Sequence, residues 1–217
     1  MINGEKGKPK SVQAGLNKEL VVALDNKETA RFLGIWIGCK DHKNATINKI
    51  RQDIDKIVTV LRGKKATGKQ ALYIFNKVLI PRIEYKIRHC HLTQRECDTL
   101  TAQYRKILKN KTKICSTLPN SVVHHKGFLN LKSIWEIQTE SQSANLITYL
   151  NDTGSADTST LIRLKQSQIN NWESKNIITE EMPITFDTRG NFTAKILKAG
   201  NKINIKIKSE LIEELFQ

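Results

Sequence analysis

The residues that could do chemistry in this chain are its carboxylates, histidines and cysteines, and their spacing does not assemble a reactive centre. A two-metal site needs carboxylates that converge on one point, and the chain has no adjacent pair of aspartates. Asp53 and Asp55 lie two residues apart on a predicted helix, so they do not share a face. The pairs Glu180–Glu181 and Glu213–Glu214 have the polar neighbours typical of a solvated surface. We therefore predict no catalytic residue in this chain.

Potential metal ligands occur in two groups, but without the spacing of a zinc site. One group is His89–His91 with Cys97, and the other is Cys115 with His124 and His125. No Cys-x-x-Cys pair occurs, and adjacent residues rarely converge on one tetrahedral ion. Zinc is therefore disfavoured, and Cys97, on an apolar helical stripe, is better explained as a small core residue.

Positive charge is the strongest compositional signal, and it is confined to one half of the chain. The 217 residues carry a formal charge of +15. Up to Lys113 there are 25 Lys and Arg against 10 Asp and Glu, and beyond it there are 11 against 11. Neutralising phosphates releases condensed counterions, so a concentrated positive field favours a nucleic-acid partner over a lysine-rich surface that serves solubility. A membrane partner is disfavoured, because no lipidation motif or strongly apolar helix face accompanies the charge.

The four cysteines and the N-terminal sequence indicate an intracellular protein. Four cysteines in a long chain without an apolar signal segment are typical of free thiols in a reducing compartment. We therefore expect the protein in the nucleus or the cytoplasm, and we do not expect secretion.

Residue patterns predict a mainly α protein with a small N-terminal β-hairpin. The hairpin would pair Glu19–Leu24 with the run Phe32–Ile37 across a turn at Asp25–Glu28. Apolar residues then recur at three- and four-residue spacing, which predicts a helix that ends near Gly63. The members of this spacing are Ile47, Ile50, Ile54, Ile57 and Leu61.

Further helices are predicted by their N-terminal capping residues. Thr67 can cap a helix that carries Leu72, Phe75, Val78 and Leu79 and that Pro81 kinks or restarts. Capping boxes at Thr93–Glu96 and Ser133–Glu136 open two more helices, the second running to about Leu150. The buried stripe of the first of these two would be Cys97, Leu100, Tyr104 and Ile107.

The residue patterns divide the chain into four parts. These are a β-hairpin region over residues 1–42, a helical bundle over 43–150, a polar linker over 151–159 and a small α+β C-terminal extension over 160–217. The extension would contain a helix over Thr160–Trp172, a hairpin over Thr185–Ile207 and a closing helix over Ser209–Phe216.

Three blocks, taken in their order and separation, resemble one protein family. They are Ile2–Lys6, Arg31–Gly38 and Tyr73–Tyr85. Together they resemble the palm edge and thumb of reverse transcriptases from non-LTR (LINE-type) retrotransposons, and the segments Gly127–Leu131 and Ile134–Glu136 resemble the region after the thumb. The resemblance covers residues 1–150 and implies that the helical bundle is thumb-like. It also explains the absence of catalytic carboxylates, which the family places before these blocks.

The resemblance implies roles for particular residues. The block Phe32–Gly34 corresponds to the primer grip, a hairpin tip pressed against the primer strand, and Arg31 beside it would meet a phosphate. Lys6 corresponds to the end of an Asn-x-x-Lys motif and would approach the incoming nucleotide, although Gly7 stands where the family usually has Ser or Thr. Basic residues of the thumb would face the duplex, namely Lys69, Lys77, Arg82, Lys86 and Arg88. A second candidate patch is Arg105, Lys106, Lys109, Lys111 and Lys113.

These observations predict a non-catalytic fragment of an RNA-directed DNA polymerase that contacts an RNA–DNA hybrid or primer–template duplex. The missing upstream part of the polymerase is a further implied partner. No cofactor is expected in the fragment, since magnesium belongs to the full-length enzyme. Three alternatives remain open: a stand-alone nucleic-acid-binding module, a helical protein-interaction module whose basic half meets an acidic partner, and the translation of a decayed element with no selected function.

Overall fold

A computed structural model of the protein describes residues 11–14, 19–22, 28–38, 42–152, 154–178, 180 and 182–205. Its contacts divide the chain into two compact units, Met1–Asp53 and Ile54–Gln217, which we call the hairpin unit and the helical unit. The fold is mainly α with small β elements near the N-terminus, as the residue patterns predict. The Lys6 motif, the turn at residues 25–27 and the predicted closing helix lie outside the described residues.

The described strands form two antiparallel hairpins, and this corrects the predicted pairing. β1 (Ser11–Ala14) pairs with β2 (Glu19–Val22), and β3 (Thr29–Phe32) pairs with β4 (Ile35–Gly38).

The run Phe32–Ile37 was predicted as one strand, but it contains the turn of the second hairpin. Leu33 and Gly34 occupy the two central turn positions with φ of +47° and +86°. Positive φ at both central positions is the geometry that matches the twist of paired strands. Leu33 and Gly34 therefore reverse the chain at the tip of the second hairpin.

Helix α1 (His42–Gly63) follows the hairpins and crosses the boundary between the two units. Ile50, Ile54 and Leu61 of the predicted apolar stripe are buried. Within the hairpin unit, the Lys49 ammonium lies 5.3 Å from the centroid of the Trp36 ring, which links α1 to β4 through a cation–π contact.

The next helical segment is continuous through Pro81 because it widens just before the proline. It consists of α2 (Gly68–Ile74), a π-helical turn (Phe75–Leu79) and α3 (Ile80–Ile87). Thr67 caps α2 in a reciprocal capping box with Gln70, as predicted. Proline has no N–H for the helical ladder, and the Ile80 N–H bonds to the Phe75 carbonyl five residues back. Val78 is exposed at this wide turn.

Helix α4 (Gln94–Lys111) opens with the predicted capping box, in which Thr93 and Glu96 satisfy each other's backbone N–H groups. Its predicted stripe is buried, and the Tyr104 ring lies 5.1 Å from the Phe75 ring between centroids. A short helix, α5 (Asn120–His124), follows.

Helix α6 (Ile134–Leu150) is the hub of the helical unit, since α3, α4 and the two later helices all contact it. Ser133 caps its N-terminus, as predicted, by accepting from the Glu136 N–H, but the return bond from the Glu136 side chain that would complete the predicted capping box is not among the described contacts. Part of its buried face is polar, because Gln138 and Gln142 hold the backbone at the end of α3 and just after it. Gln138 Nε2 donates to the Leu92 carbonyl at 2.9 Å, and Gln142 Nε2 donates to the Ile87 carbonyl at 2.8 Å.

The region after α6 is helical and packs on α6. Helix α7 (Ser155–Asn170) begins inside the stretch that was predicted to be a linker, and α8 (Phe192–Lys202) replaces the predicted hairpin over Thr185–Ile207. The Asn191 side chain accepts from the Ala194 N–H and so caps a helix where a hairpin turn was expected. Leu146, Leu150, Leu164 and Leu197 share one core cluster, so the described C-terminal region is α-helical and belongs to the helical unit.

Candidate nucleic-acid interface

The segment from α2 to α3 has one buried side and one exposed side. Ala71, Phe75, Leu79, Ile83 and Ile87 are buried, which fixes the rotation of the helices about their axes. The Asn76 side chain further anchors the π turn, since it donates to the Asn130 carbonyl at 2.9 Å and accepts from the Lys132 N–H at 3.0 Å. The buried side chains and the two bonds of Asn76 therefore fix which residues face solvent.

Four cations and two tyrosines lie along the exposed side, with each tyrosine between two cations. Successive members follow at steps of three to five residues, close to one helical turn each, with the longest step across the π turn. We call this set the basic stripe: Lys69, Tyr73, Lys77, Arg82, Tyr85 and Arg88, all exposed. Tyr73, between two lysines, exposes 65% of its surface.

The basic stripe carries four positive charges, and few acidic residues lie near it in the sequence. The only acidic residue between Gly68 and Arg88 in the sequence is Glu84, which is half-buried. Lys86, another predicted ligand residue, is also half-buried. Positive side chains with aromatic rings between them can follow a phosphate backbone while the rings stack on bases or sugars. The two tyrosines were not predicted as site residues, although each lies three or four residues from a cation on either side, which was a readable signal.

The tip of the second hairpin exposes the residues that the family resemblance implied as a primer grip. Arg31, Phe32 and Leu33 are exposed, and Leu33 exposes 76% of its surface. Leu33 also holds φ at +47°, a conformation that costs a non-glycine residue energy and that Asn or Gly would adopt more easily. The turn requires this conformation of whichever residue stands there, and strained positions of this kind cluster at functional sites.

The second predicted patch is smaller at the surface than the sequence suggests. Arg105 and Lys109 expose only 8% of their surface each, whereas Lys106 between them is exposed. Arg105 donates to the Asp98 carboxylate at 3.3 Å and to the Asp98 carbonyl at 3.2 Å. Their helical phase places both cations beside the apolar stripe of α4, so the expectation of an exposed patch is corrected for these two residues.

The buried Lys109 ammonium organises the segment between α4 and α5. It donates to the carbonyls of Ser116 and Leu118 at 3.0 and 2.6 Å, and it lies 3.4 Å from Asn120 Oδ1. Lys111 is also engaged, since its ammonium donates to the Lys64 carbonyl at 2.6 Å. These bonds serve the fold and leave Lys106 and Lys113 as the exposed members of the second patch.

Comparison with known proteins gives no relative to guide the assignment: no family model, curated protein or solved structure matches the chain. Within the described ranges, no group of three His, Cys, Asp or Glu residues could hold a metal ion. None of the helices described is long and apolar enough to cross a membrane.

Proposed function

We propose that the chain is a non-catalytic, nucleic-acid-binding part of a non-LTR retrotransposon reverse transcriptase. In this proposal, the basic stripe follows the backbone of an RNA–DNA hybrid or primer–template duplex, and the hairpin tip with Arg31, Phe32 and Leu33 contacts the primer strand. The observation that carries the proposal is the stripe itself: four exposed cations and two exposed tyrosines on one anchored helical segment.

Physical chemistry supports backbone recognition over sequence reading. An A-like hybrid hides its base edges in a deep, narrow groove and is recognised by shape and by phosphate and sugar contacts. Lysines and arginines spread along a helix suit this task, because each cation meets a phosphate without a sequence code. The charge distribution agrees, since the excess of Lys and Arg lies before Ile114, in the half that contains the stripe.

The binding proposal is tested by measuring the affinity of the full chain for a short RNA–DNA hybrid as a function of salt. Fluorescence anisotropy with a labelled hybrid gives the dissociation constant at each concentration. If the four stripe cations each meet a phosphate, the logarithm of affinity should fall against the logarithm of salt with a slope of about −3 to −4. A flat response, or no binding at low salt, would contradict nucleic-acid binding and favour a protein partner.

Two further measurements separate the proposed context from the alternatives. Tighter binding to the hybrid than to a DNA duplex of the same sequence is expected of a primer–template contact, whereas equal affinity favours a stand-alone module. Purified chain should not extend a primer in the presence of magnesium and nucleotides, since it lacks the adjacent aspartates of a two-metal site. Primer extension would refute the non-catalytic assignment.

A further inference from the structure

A cleft of about 500 Å³ lies between the C-terminal half of α4 and the segment that leads into α5. None of its residues belongs to the basic stripe. Two of the described lining residues, Ala102 and Ile114, are apolar, and the other six can donate hydrogen bonds. These six are Arg105, Lys106, Lys109, Asn110, Ser116 and Asn120.

The cleft has three cations, and among the described contacts only one of them, Arg105, has a carboxylate partner. No described lining residue carries a carboxylate. The buried Lys109 ammonium donates to three neutral oxygens, so its charge has no opposite charge among these contacts. Arg105 has one carboxylate partner, Asp98, whose side chain is 62% exposed and therefore screened by solvent. A bound anion would complete this arrangement.

Two lining side chains, Asn120 and Arg105, keep hydrogen-bond donors that the bonds described above do not use. Since an ammonium only donates, the atom of Asn120 that faces Lys109 must be the amide oxygen, which leaves the Asn120 NH₂ group as a donor on the other branch. The two bonds of Arg105 to Asp98 engage two of five guanidinium donors. Lys106, exposed beside them, adds a flexible ammonium at the opening.

We propose that this cleft binds a nucleoside phosphate, either as a free mononucleotide or as the phosphorylated end of a nucleic-acid strand. The phosphate is held by Arg105 and Lys106, and the field of Lys109 stabilises its charge. A cleft of this volume falls within the range of small-molecule sites and leaves room beyond the phosphate, so the nucleoside lies against Ala102 and Ile114. This inference goes beyond the proposed function, because it concerns a separate set of residues and a different ligand.

The test is titration of the full chain with adenosine 5′-monophosphate and, as a matched probe without phosphate, with adenosine. Calorimetry should show the nucleotide binding about tenfold or more tightly than adenosine, because charge-assisted bonds to the phosphate are lost in the nucleoside. Lys106→Gln should weaken nucleotide binding about fivefold, Lys106→Arg should retain it, and Lys126→Gln, an exposed lysine outside the cleft, should leave it unchanged.

Side-chain amide signals of Asn110 and Asn120 in an NMR titration of the unmodified protein provide a readout that does not depend on any variant. They should shift with the nucleotide and not with adenosine. Equal binding of the two probes, no binding at millimolar nucleotide, or unshifted Asn110 and Asn120 signals would overturn the proposal.

The source of the phosphate is distinguished by two oligonucleotides that differ only at the 5′ end. Tighter binding of the 5′-phosphorylated strand than of the 5′-hydroxyl strand identifies a strand end as ligand, and nucleotide binding without this gain identifies a free nucleotide. A variant with Lys69, Lys77 and Arg82 changed to Gln should still bind the nucleotide. The cleft is therefore tested independently of the basic stripe.

Discussion

Two basic segments with similar charge in the sequence use that charge in opposite ways. In the segment from Lys69 to Arg88, the cations of the basic stripe face solvent with tyrosines between them. In the segment from Arg105 to Lys113, two cations turn inward, and Lys109 holds the following segment through its carbonyls. Charge density in the sequence therefore does not by itself predict a polyanion-binding surface. Helical phase and packing determine which of the cations are exposed.

The largest effect is expected from removing charge on the basic stripe. Replacing Lys69, Lys77 and Arg82 together with Gln should weaken binding to an RNA–DNA hybrid about 10²- to 10³-fold at 0.1 M salt and make the salt slope shallower by about 2 to 3. Anisotropy titrations over a salt series measure both quantities.

The matched control changes three exposed lysines outside the stripe, Lys126, Lys175 and Lys202, to Gln. This variant has the same net charge as the stripe variant. If both variants lose affinity equally, binding depends on net charge alone and the contrast between the segments has no functional meaning.

In the second segment, removing a buried cation should lower the stability of the protein. Lys109→Met keeps the length of the side chain but leaves the carbonyls of Ser116 and Leu118 without their donor inside the protein. The free energy of unfolding should fall by about 2–3 kcal/mol, measured by urea titration with circular dichroism at the helical band. Lys77→Met, on the stripe, should leave the stability unchanged. Equal stability of the two variants would show that Lys109 is not a structural cation.

The tyrosines of the stripe distinguish a stacking surface from a purely electrostatic one. Tyr73→Ala should weaken binding to a hybrid with a single-stranded overhang by about 1–2 kcal/mol, since an exposed ring supports an unpaired base. Tyr73→Phe should retain the affinity because it keeps the ring. Loss of affinity in both variants would assign the effect to the hydroxyl group and not to stacking.

The smallest effect concerns the thiol that follows the second segment. Hydrogen bonds from the hydroxyl and backbone N–H of Thr117 hold the pKa of the exposed Cys115 thiol below its usual value, and the charge of Lys109 adds to this. A lowered pKa raises the thiolate fraction at neutral pH, so Cys115 should be alkylated faster than the buried Cys90 and Cys97.

Peptide-resolved mass spectrometry of iodoacetamide labelling against pH gives the apparent pKa of Cys115. Thr117→Val removes the hydroxyl and should shift the labelling curve to higher pH, whereas Lys109→Met should shift it less. A curve that Thr117→Val leaves in place would remove Thr117 as the cause.

Local signals in the sequence predict much of the helical unit. Thr67, Thr93 and Ser133 each cap the helix that they were expected to open, because a capping residue acts on N–H groups only two or three positions away. The apolar stripe of α4 is likewise readable, since burial follows the helical period. Both signals act within a few turns of one element.

The errors arise where residues distant in sequence decide the structure. Gln138 and Gln142 are buried because they bond to backbone groups about fifty residues earlier, which no hydrophobic pattern reports. The hairpin predicted over Thr185–Ile207 is a helix whose Ala194 and Leu197 join the core formed by α6 and α7. The turn at Leu33 was missed because leucine is an unusual residue at positive φ.

The sequence by itself determined the mainly helical fold, the caps that begin its helices and the confinement of positive charge to the first half. The tertiary structure alone decided which cations face solvent, since Lys69 and Lys109 carry the same charge and differ only in what packs around them. Charge and capping are properties of single residues and their close neighbours. Exposure depends on helical phase and on segments that fold back from elsewhere, such as the residues between α4 and α5 that enclose Lys109.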